Sequence, residues 1–206
     1  TAWYPSPERP MVGVFVREHA RAVRRFAEVV VLHCAGAGSK TGRLWRLWRE
    51  DDPELTANIP TYRVAHCDLP IPGATSAAYT WSALRAADRV VADGFQPDIV
   101  HGHIYEAGVP AVLFARRRGI PVVITEHSSD FPRRKLPPLQ VFKARFAFGR
   151  AARVLPVSRA LQQGIEAYGI SGRFTVVPNA VDTDLFRIAS SPHAHGGPRK
   201  LIYVGS

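Results

Sequence analysis

Residues 122–131 read VVITEHSSDF. Val122, Val123 and Ile124 form an apolar, β-branched run, and Glu126, His127, Ser128, Ser129 and Asp130 follow with no apolar residue among them. A short continuous apolar run is the signature of a strand covered on both faces, as strands of a parallel sheet are. Ligands of such sheets bind at the carboxyl ends of the strands, so a histidine between two carboxylates at a strand exit is a candidate for chemistry.

The same alternation extends along the chain. Strands are expected at 28–34 (EVVVLHC), 61–67 (TYRVAHC), 98–103 (DIVHGH), 121–127, 153–158 (RVLPVS) and 174–179 (FTVVPN), with helices at 15–26, 76–94, 107–119, 138–152 and 158–169. Gly94, Gly119 and Gly169 stand just past helix ends, and Ser158 is placed to cap the last helix. Strands alternating with helices predict an α/β fold, a Rossmann-like doubly wound parallel sheet.

Composition sets the class. In 206 residues, 46% are hydrophobic and 21% charged, which suits one globular domain. No stretch approaches the roughly 20 apolar residues that cross a bilayer. The opening TAWYPSPERP lacks the cationic start and apolar middle of a signal peptide. A soluble, cytoplasmic protein is expected. Cys34 and Cys67 are far apart without a CxxC spacing, so neither a metal site nor a disulfide is expected. A net charge of +10 predicts an anionic partner.

Candidate site residues gather at the strand exits: His101, His103 and Glu106, then Glu126, His127, Ser128 and Asp130, then Ser158, then Asn179 and Asp182. A lone strand-end histidine is ordinarily a structural residue; clustering at one sheet edge is what points to a crevice, with His127 foremost and His103 next. Gly13 precedes the first helix, whose exposed N–H groups and dipole suit a phosphate. With neither GxGxxG nor GxxxxGK[ST] in the chain, a nicotinamide dehydrogenase or P-loop NTPase is not supported.

Two basic stretches bear on the partner. On a helix, RLWRLWR (43–49) gathers Leu44, Trp45, Leu47 and Trp48 on one arc and three arginines opposite, the pattern of a helix lying in a membrane interface. The plainer alternative packs the tryptophans on the domain. Residues 131–165 include Arg133, Arg134, Lys135 and Lys143 but no carboxylate, which suits anionic lipid heads or an anionic acceptor. No nucleic-acid-binding module is recognisable, and no nucleic-acid partner is expected.

Both ends read as interrupted elements. TAWYPSP resembles a strand exit, residues 188–199 have linker composition, and LIYVGS (200–206) reads as the first strand of a further domain, leaving residues 1–187 as one domain.

At VVPNAVDTDLF (176–186) the sequence resembles the amino-terminal domain of retaining glycosyltransferases of the GT-B fold, family 4. Pro178, Asn179, Val181, Asp182 and Phe186 match that family's segment, and Ala180 stands where glycine is usual. GVFVREHARAV, PDIVHGH, GIPVVITEHSSD and ARVLPVSRAL extend the likeness over nearly the whole chain. The resemblance implies a hexosyltransferase-type, two-domain enzyme that moves a sugar from a UDP-, GDP- or ADP-sugar to a glycan, lipid-linked or small-molecule acceptor with retention. This chain would be the acceptor side, inactive alone, and the nucleotide would be held by a domain beyond it. His127 matches the histidine that reaches the transferred sugar, and Gly13 lies in the loop approaching the donor phosphates. Gly13, His103, Glu106, Glu126, Ser128, Asp130 and Asn179 are the expected sugar-binding residues, with Glu126 or Asp130 orienting the imidazole or neighbouring groups. No metal or other cofactor is expected, and Trp45, Trp48, Arg133, Arg134, Lys135 and Lys143 are the expected membrane or anionic-substrate contacts. A sugar-nucleotide epimerase or related hydrolase, and a non-enzymatic basic binding module, are the competing readings.

Overall fold

The structure, a computed structural model, describes residues 1–37, 45–67 and 73–187. Its elements in chain order are α1 (Val14–Val23), β1 (Val31–Ala37), β2 (Trp45–Glu50), α2 (Pro53–Thr56), β3 (Thr61–Cys67), α3 (Ala74–Ala92), β4 (Val100–His103), α4 (Ile104–Arg118), β5 (Val122–Glu126), α5 (Pro138–Phe148), β6 (Arg153–Pro156) and α6 (Arg159–Glu166). They form the α/β architecture the alternation predicts. One three-stranded sheet is ordered β1-β3-β2 and the other β4-β5-β6. All pairings are parallel except that of β2 with β3. Residue 1 lies along β1: the Thr1 amino group donates to Leu32 O at 2.8 Å and Cys34 N–H donates to Thr1 O at 2.9 Å.

Two expectations need correction. The stretch expected as an amphipathic helix at 43–49 is, from Trp45 onward, the edge strand β2; Arg43 and Leu44 lie outside the described residues. Period two explains it: Trp45 and Leu47 turn inward onto Cys34, Val64, Ala83 and Ala86, while Arg46 and Trp48 turn outward, the guanidinium lying 5.0 Å from the indole centroid. The strand expected at 174–179 is reduced to a single bridge between Phe174 and Val154. The chain nevertheless runs beside β6, with Thr175 N–H donating to Val154 O and Val177 N–H to Pro156 O.

The main core joins β5 and β6 to α4, α5 and α6, with Ile124, Phe148, Val154 and Ile165 wholly buried. Each such side chain contributes about 1.5–3 kcal/mol by leaving water. Close approach of α4 depends on Gly108, where an added Cβ would lie 2.7 Å from Ile124 Cδ1 and 3.0 Å from Ala147 Cβ. Gly94, Gly119 and Gly169 take positive φ after their helices, and Ser158 Oγ accepts from Leu161 N–H at 3.1 Å, as their positions predict. The expected linker and following strand, residues 188–206, fall outside the described residues.

Candidate functional site

Strand alternation decides which side chains meet. In β4, His101 and His103 share one face while Gly102 turns to the other, where a Cβ would sit 3.4 Å from Gly108 of α4. In β5 and its exit, Thr125 and His127 share the histidines' face, and Ile124 and Glu126 take the α4 face. The imidazoles therefore stack. His101 and His103 centroids are 4.4 Å apart and inclined by 21°, and His103 and His127 are 5.4 Å apart and inclined by 15°. His103 Nδ1 and His127 Nε2 share a hydrogen bond of 3.1 Å, and His101 Nε2 is 2.7 Å from Thr125 Oγ1. Helix α1 closes the column: Phe15 lies 4.4 Å from the His127 centroid, and His19, one turn on, meets His101 and His103 edge-on.

Burial keeps these rings neutral. It lowers His127 to about 4 and His101 to about 3, and lowers His103 and His19 as well. The Asn179 carboxamide stands close enough to His127 to oppose that shift, without completing a hydrogen bond of normal geometry to Nδ1, which is buried and unpartnered.

Neither carboxylate bonds the imidazole ring itself; Glu126 holds the neighbouring backbone groups instead. Glu126 is wholly buried on the opposite face and accepts three backbone N–H groups, from Tyr105 at 2.8 Å, His127 at 2.9 Å and Ser128 at 2.8 Å. It fastens the β5 exit to the start of α4. Between those points Ile104 is held at φ 64°, a conformation costing a β-branched residue on the order of 1–3 kcal/mol, and it turns the chain so that Tyr105 N–H faces Glu126. Burial lifts the Glu126 carboxyl to about 7 against the three donors that favour its charge. Asp130 pairs with Ser128 instead: Ser128 Oγ lies 3.3 Å from Asp130 Oδ2 and accepts from Asp130 N–H at 3.2 Å. Phe131 then returns to the core with no exposed surface, against Tyr105 and Phe148, so the polar run is pinned at both ends.

Gly13 is buried at the start of α1 at φ 73°, where a Cβ would lie 2.5 Å from the backbone of Trp3 and Tyr4. The segment carrying Asn179 is tied to the same helix by the Arg21–Asp182 ion pair at 3.2 Å. Asp182 Oδ1 also accepts from Asp184 N–H and Leu185 N–H, and Asp182 O from Phe186 N–H, closing a turn over residues 182–186. Gly13, His103, His127 and Asn179 thus come together at one end of the strands. Glu106 lies beside them in the first turn of α4, raised by burial and opposed by the charge of Lys143.

Lys143 is half-buried and bonded to Ser76 of α3, so it faces the domain. Trp45 is packed into the β1–β3 core, leaving Trp48 as the outward indole of β2, while Arg133, Arg134 and Lys135 are exposed. Among the described residues no cluster of three His, Cys, Asp or Glu is disposed to hold a metal ion. Cys34 is a buried free thiol, and the Cys67 side chain lies outside the description. No described helix is long and apolar enough to cross a membrane. A cavity of about 540 Å³ rimmed by Arg116, Arg150 and Arg173 lies at the amino ends of β5 and β6, away from the histidines.

Phe15 and His19 were not among the candidate site residues the sequence singled out; the one signal available was their spacing of four, which puts them on one helix face. Arg63, buried in the β1–β3 sheet, gave no sequence signal. It bonds His33 Nδ1 at 2.8 Å and Pro5 O at 2.6 Å, which anchors the loop leading to Gly13.

The sequence profile of Glycosyltransferase Family 4 matches residues 6–185. Among solved structures, the Anabaena protein Alr3699/HepE in complex with UDP and glucose is similar at a TM-score of 0.56 and 16% identity, over 86% of this chain and 43% of that one. Sucrose-phosphate synthase from Thermosynechococcus elongatus is similar at a TM-score of 0.55 and 10% identity, over 84% of this chain and 43% of that one. A shorter form of that synthase is covered over 88% of its length, at a TM-score of 0.53 and 14% identity. The chain thus spans less than half of the two longer neighbours, and the likeness is one of fold. No match was found among curated protein sequences.

Proposed function

The chain belongs to glycosyltransferase family 4, and on that premise we propose that it is the acceptor-side domain of a retaining enzyme that moves a hexose from a nucleotide diphosphate sugar to an acceptor hydroxyl. The observation that carries the proposal is the meeting of His127, backed by His103, with the Gly13 end of α1 at the carboxyl ends of the strands. The UDP and glucose bound to the Anabaena neighbour support a donor of UDP-sugar type.

In the proposed reaction the bond from the anomeric carbon to the diphosphate oxygen breaks and one from the same carbon to the acceptor oxygen forms on the same face. The acceptor's proton passes to the departing diphosphate oxygen. Charge develops on the diphosphate and on an oxocarbenium-like sugar, so positioned donors and dipoles matter more than a strong nucleophile. The amino end of α1 at Gly13 faces the diphosphate and His127 holds a hydroxyl of the transferred sugar. Glu106, Ser128, Asp130 and Asn179 bind the remaining sugar hydroxyls, and Glu126 shapes the loop that presents them. No metal is given a role. The nucleotide is held by the part of the enzyme beyond this chain, so the chain alone is inactive.

The acceptor is a glycan or lipid-linked sugar met at an anionic surface, on the cytoplasmic face of a membrane. This rests on the exposed Trp48, Trp81 and Phe142 together with Arg133, Arg134 and Lys135. Sedimentation with anionic vesicles tests it: replacing Trp48 by Ser and the three basic residues by Gln should release the protein, and undiminished binding would remove this surface from the proposal.

The transferase reading is tested by supplying the full-length enzyme with UDP-, GDP- and ADP-hexoses and reading the anomeric configuration of the product. A retained linkage formed only with acceptor present is expected. Conversion of the donor without acceptor, or an inverted product, would overturn it.

A further inference from the structure

We infer that His103 is a positioning residue: through its Nδ1 it fixes the ring of His127, so that His127 Nδ1 is the one imidazole nitrogen left for the transferred sugar. The inference rests on the proposed transferase reading and deepens it, since His103 then acts through His127 and does not itself bind sugar. Its side chain is only 7% exposed, enclosed by the rings of His19, His101 and His127.

A neutral imidazole has one N–H and one lone pair. In His127 the Nε2 end is committed to His103 at 3.1 Å, and the Nδ1 end is buried with no partner. A buried polar atom without a partner is rare in folded proteins and asks for an explanation, such as a ligand that supplies the missing bond. Asn179, itself exposed, interacts with the His127 ring, so the imidazole is approached from a surface segment. The ring has little freedom to turn away. Phe15 covers it at 4.4 Å, His103 stacks on it within 15°, and His103 is backed by His101, which is hydrogen-bonded to Thr125.

One proton bridges the two rings, so their tautomers are coupled. If His103 Nδ1 carries it, His127 Nε2 is the acceptor and the ring's own proton sits on Nδ1, which donates to the sugar hydroxyl. If His127 Nε2 carries it, His127 Nδ1 is an acceptor and receives the hydroxyl proton as a hydrogen bond. In either arrangement the two rings must change tautomer together, so His127 cannot exchange alone, and the sugar meets one hydrogen-bonding character for as long as the bond to His103 holds.

The test reads the His127 ring by long-range 1H–15N correlation in histidine-labelled full-length protein, with His127→Asn identifying its signals. The wild type should show one tautomer. His103→Leu, which removes the hydrogen bond, should give an averaged ring and lower kcat by about 10-fold to 100-fold, with the acceptor KM nearly unchanged. His103→Asn places an amide near the Nδ1 position and should restore both the single tautomer and most of the rate, whereas His103→Gln, whose amide reaches the Nε2 position, should not. Thermal melting of the Asn and Gln variants guards against loss of fold. An averaged ring in the wild type, or a single tautomer that survives in His103→Leu, would overturn the pairing. The ring is read without donor or acceptor, so a locked His127 in an enzyme that transfers no sugar would overturn the transferase reading instead.

Discussion

At Gly13 the backbone leaves no room for a side chain. Its φ of 73° and the 2.5 Å approach of a built Cβ to the Trp3 and Tyr4 backbone act together. Gly13→Ala should therefore lower stability by at least about 2 kcal/mol, read as a shift of the urea midpoint at unchanged slope. A loss under about 0.5 kcal/mol would mean that the loop is not held as described. Glu126 is a second residue-scale case. Its carboxyl titrates near 7 in the fold against an ordinary 4.5, so between these pH values only the folded chain holds the proton. Its contribution to stability is complete below 4.5 and is lost as pH rises through 7. His127, near 4, and His101, near 3, run the other way: their contribution is present above 6.5 and is lost as pH falls through their folded values. Glu126→Gln removes only the first, opposing effect. The variant should lose stability more steeply than the wild type between pH 7 and 5, by about 1 kcal/mol per pH unit. Parallel urea curves for the two proteins would contradict the assignment. The sequence placed Glu126 and His127 side by side at the end of an expected strand, whose alternation sends them to opposite faces; it could not say what each face offers, and the carboxylate proves to be a clasp for backbone while the imidazole finds a histidine.

Elements whose period is unambiguous were legible in the chain, the short strands β4 and β6 among them, and a stretch that fits two periods was not. The apolar runs at β3 and β5 and the long helices α3 and α4 stand close to where their patterns predict. RLWRLWR is different: seven residues make two helical turns or three strand repeats, and the arginine spacing fits the first while the inward Trp45 and Leu47 obey the second. What favours the strand is its partner β3 and an ion pair from the buried Arg63 to the half-buried Glu50 that no local pattern reveals. Arg63 of β3 reaches Glu50 of β2 at 3.5 Å, His33 of β1 and Pro5 O in the first loop. Arg63→Met should destabilise the fold by about 3 kcal/mol, because Glu50 and His33 lose the partner that compensates their burial. It should also raise the donor KM of the full-length enzyme by loosening the loop before Gly13. A stable variant with unchanged KM would separate this network from the site.

For the whole molecule, one mixed and one parallel three-stranded sheet set the frame, and the exits of the parallel strands β4 and β5 carry many of the polar residues that the sequence marked. What the sequence left unread is how those residues divide their work. The stack of His101, His103 and His127, with His19 edge-on against it, joins β4, β5 and α1, so it exists only once the elements assemble. The measurement that tests the account most directly is kcat/KM of the full-length enzyme with His127 replaced by Ala. A fall of about 100-fold or more in a protein that melts as the wild type does is the predicted result; turnover within a few-fold of the wild type would contradict the role given to the histidine at the end of β5.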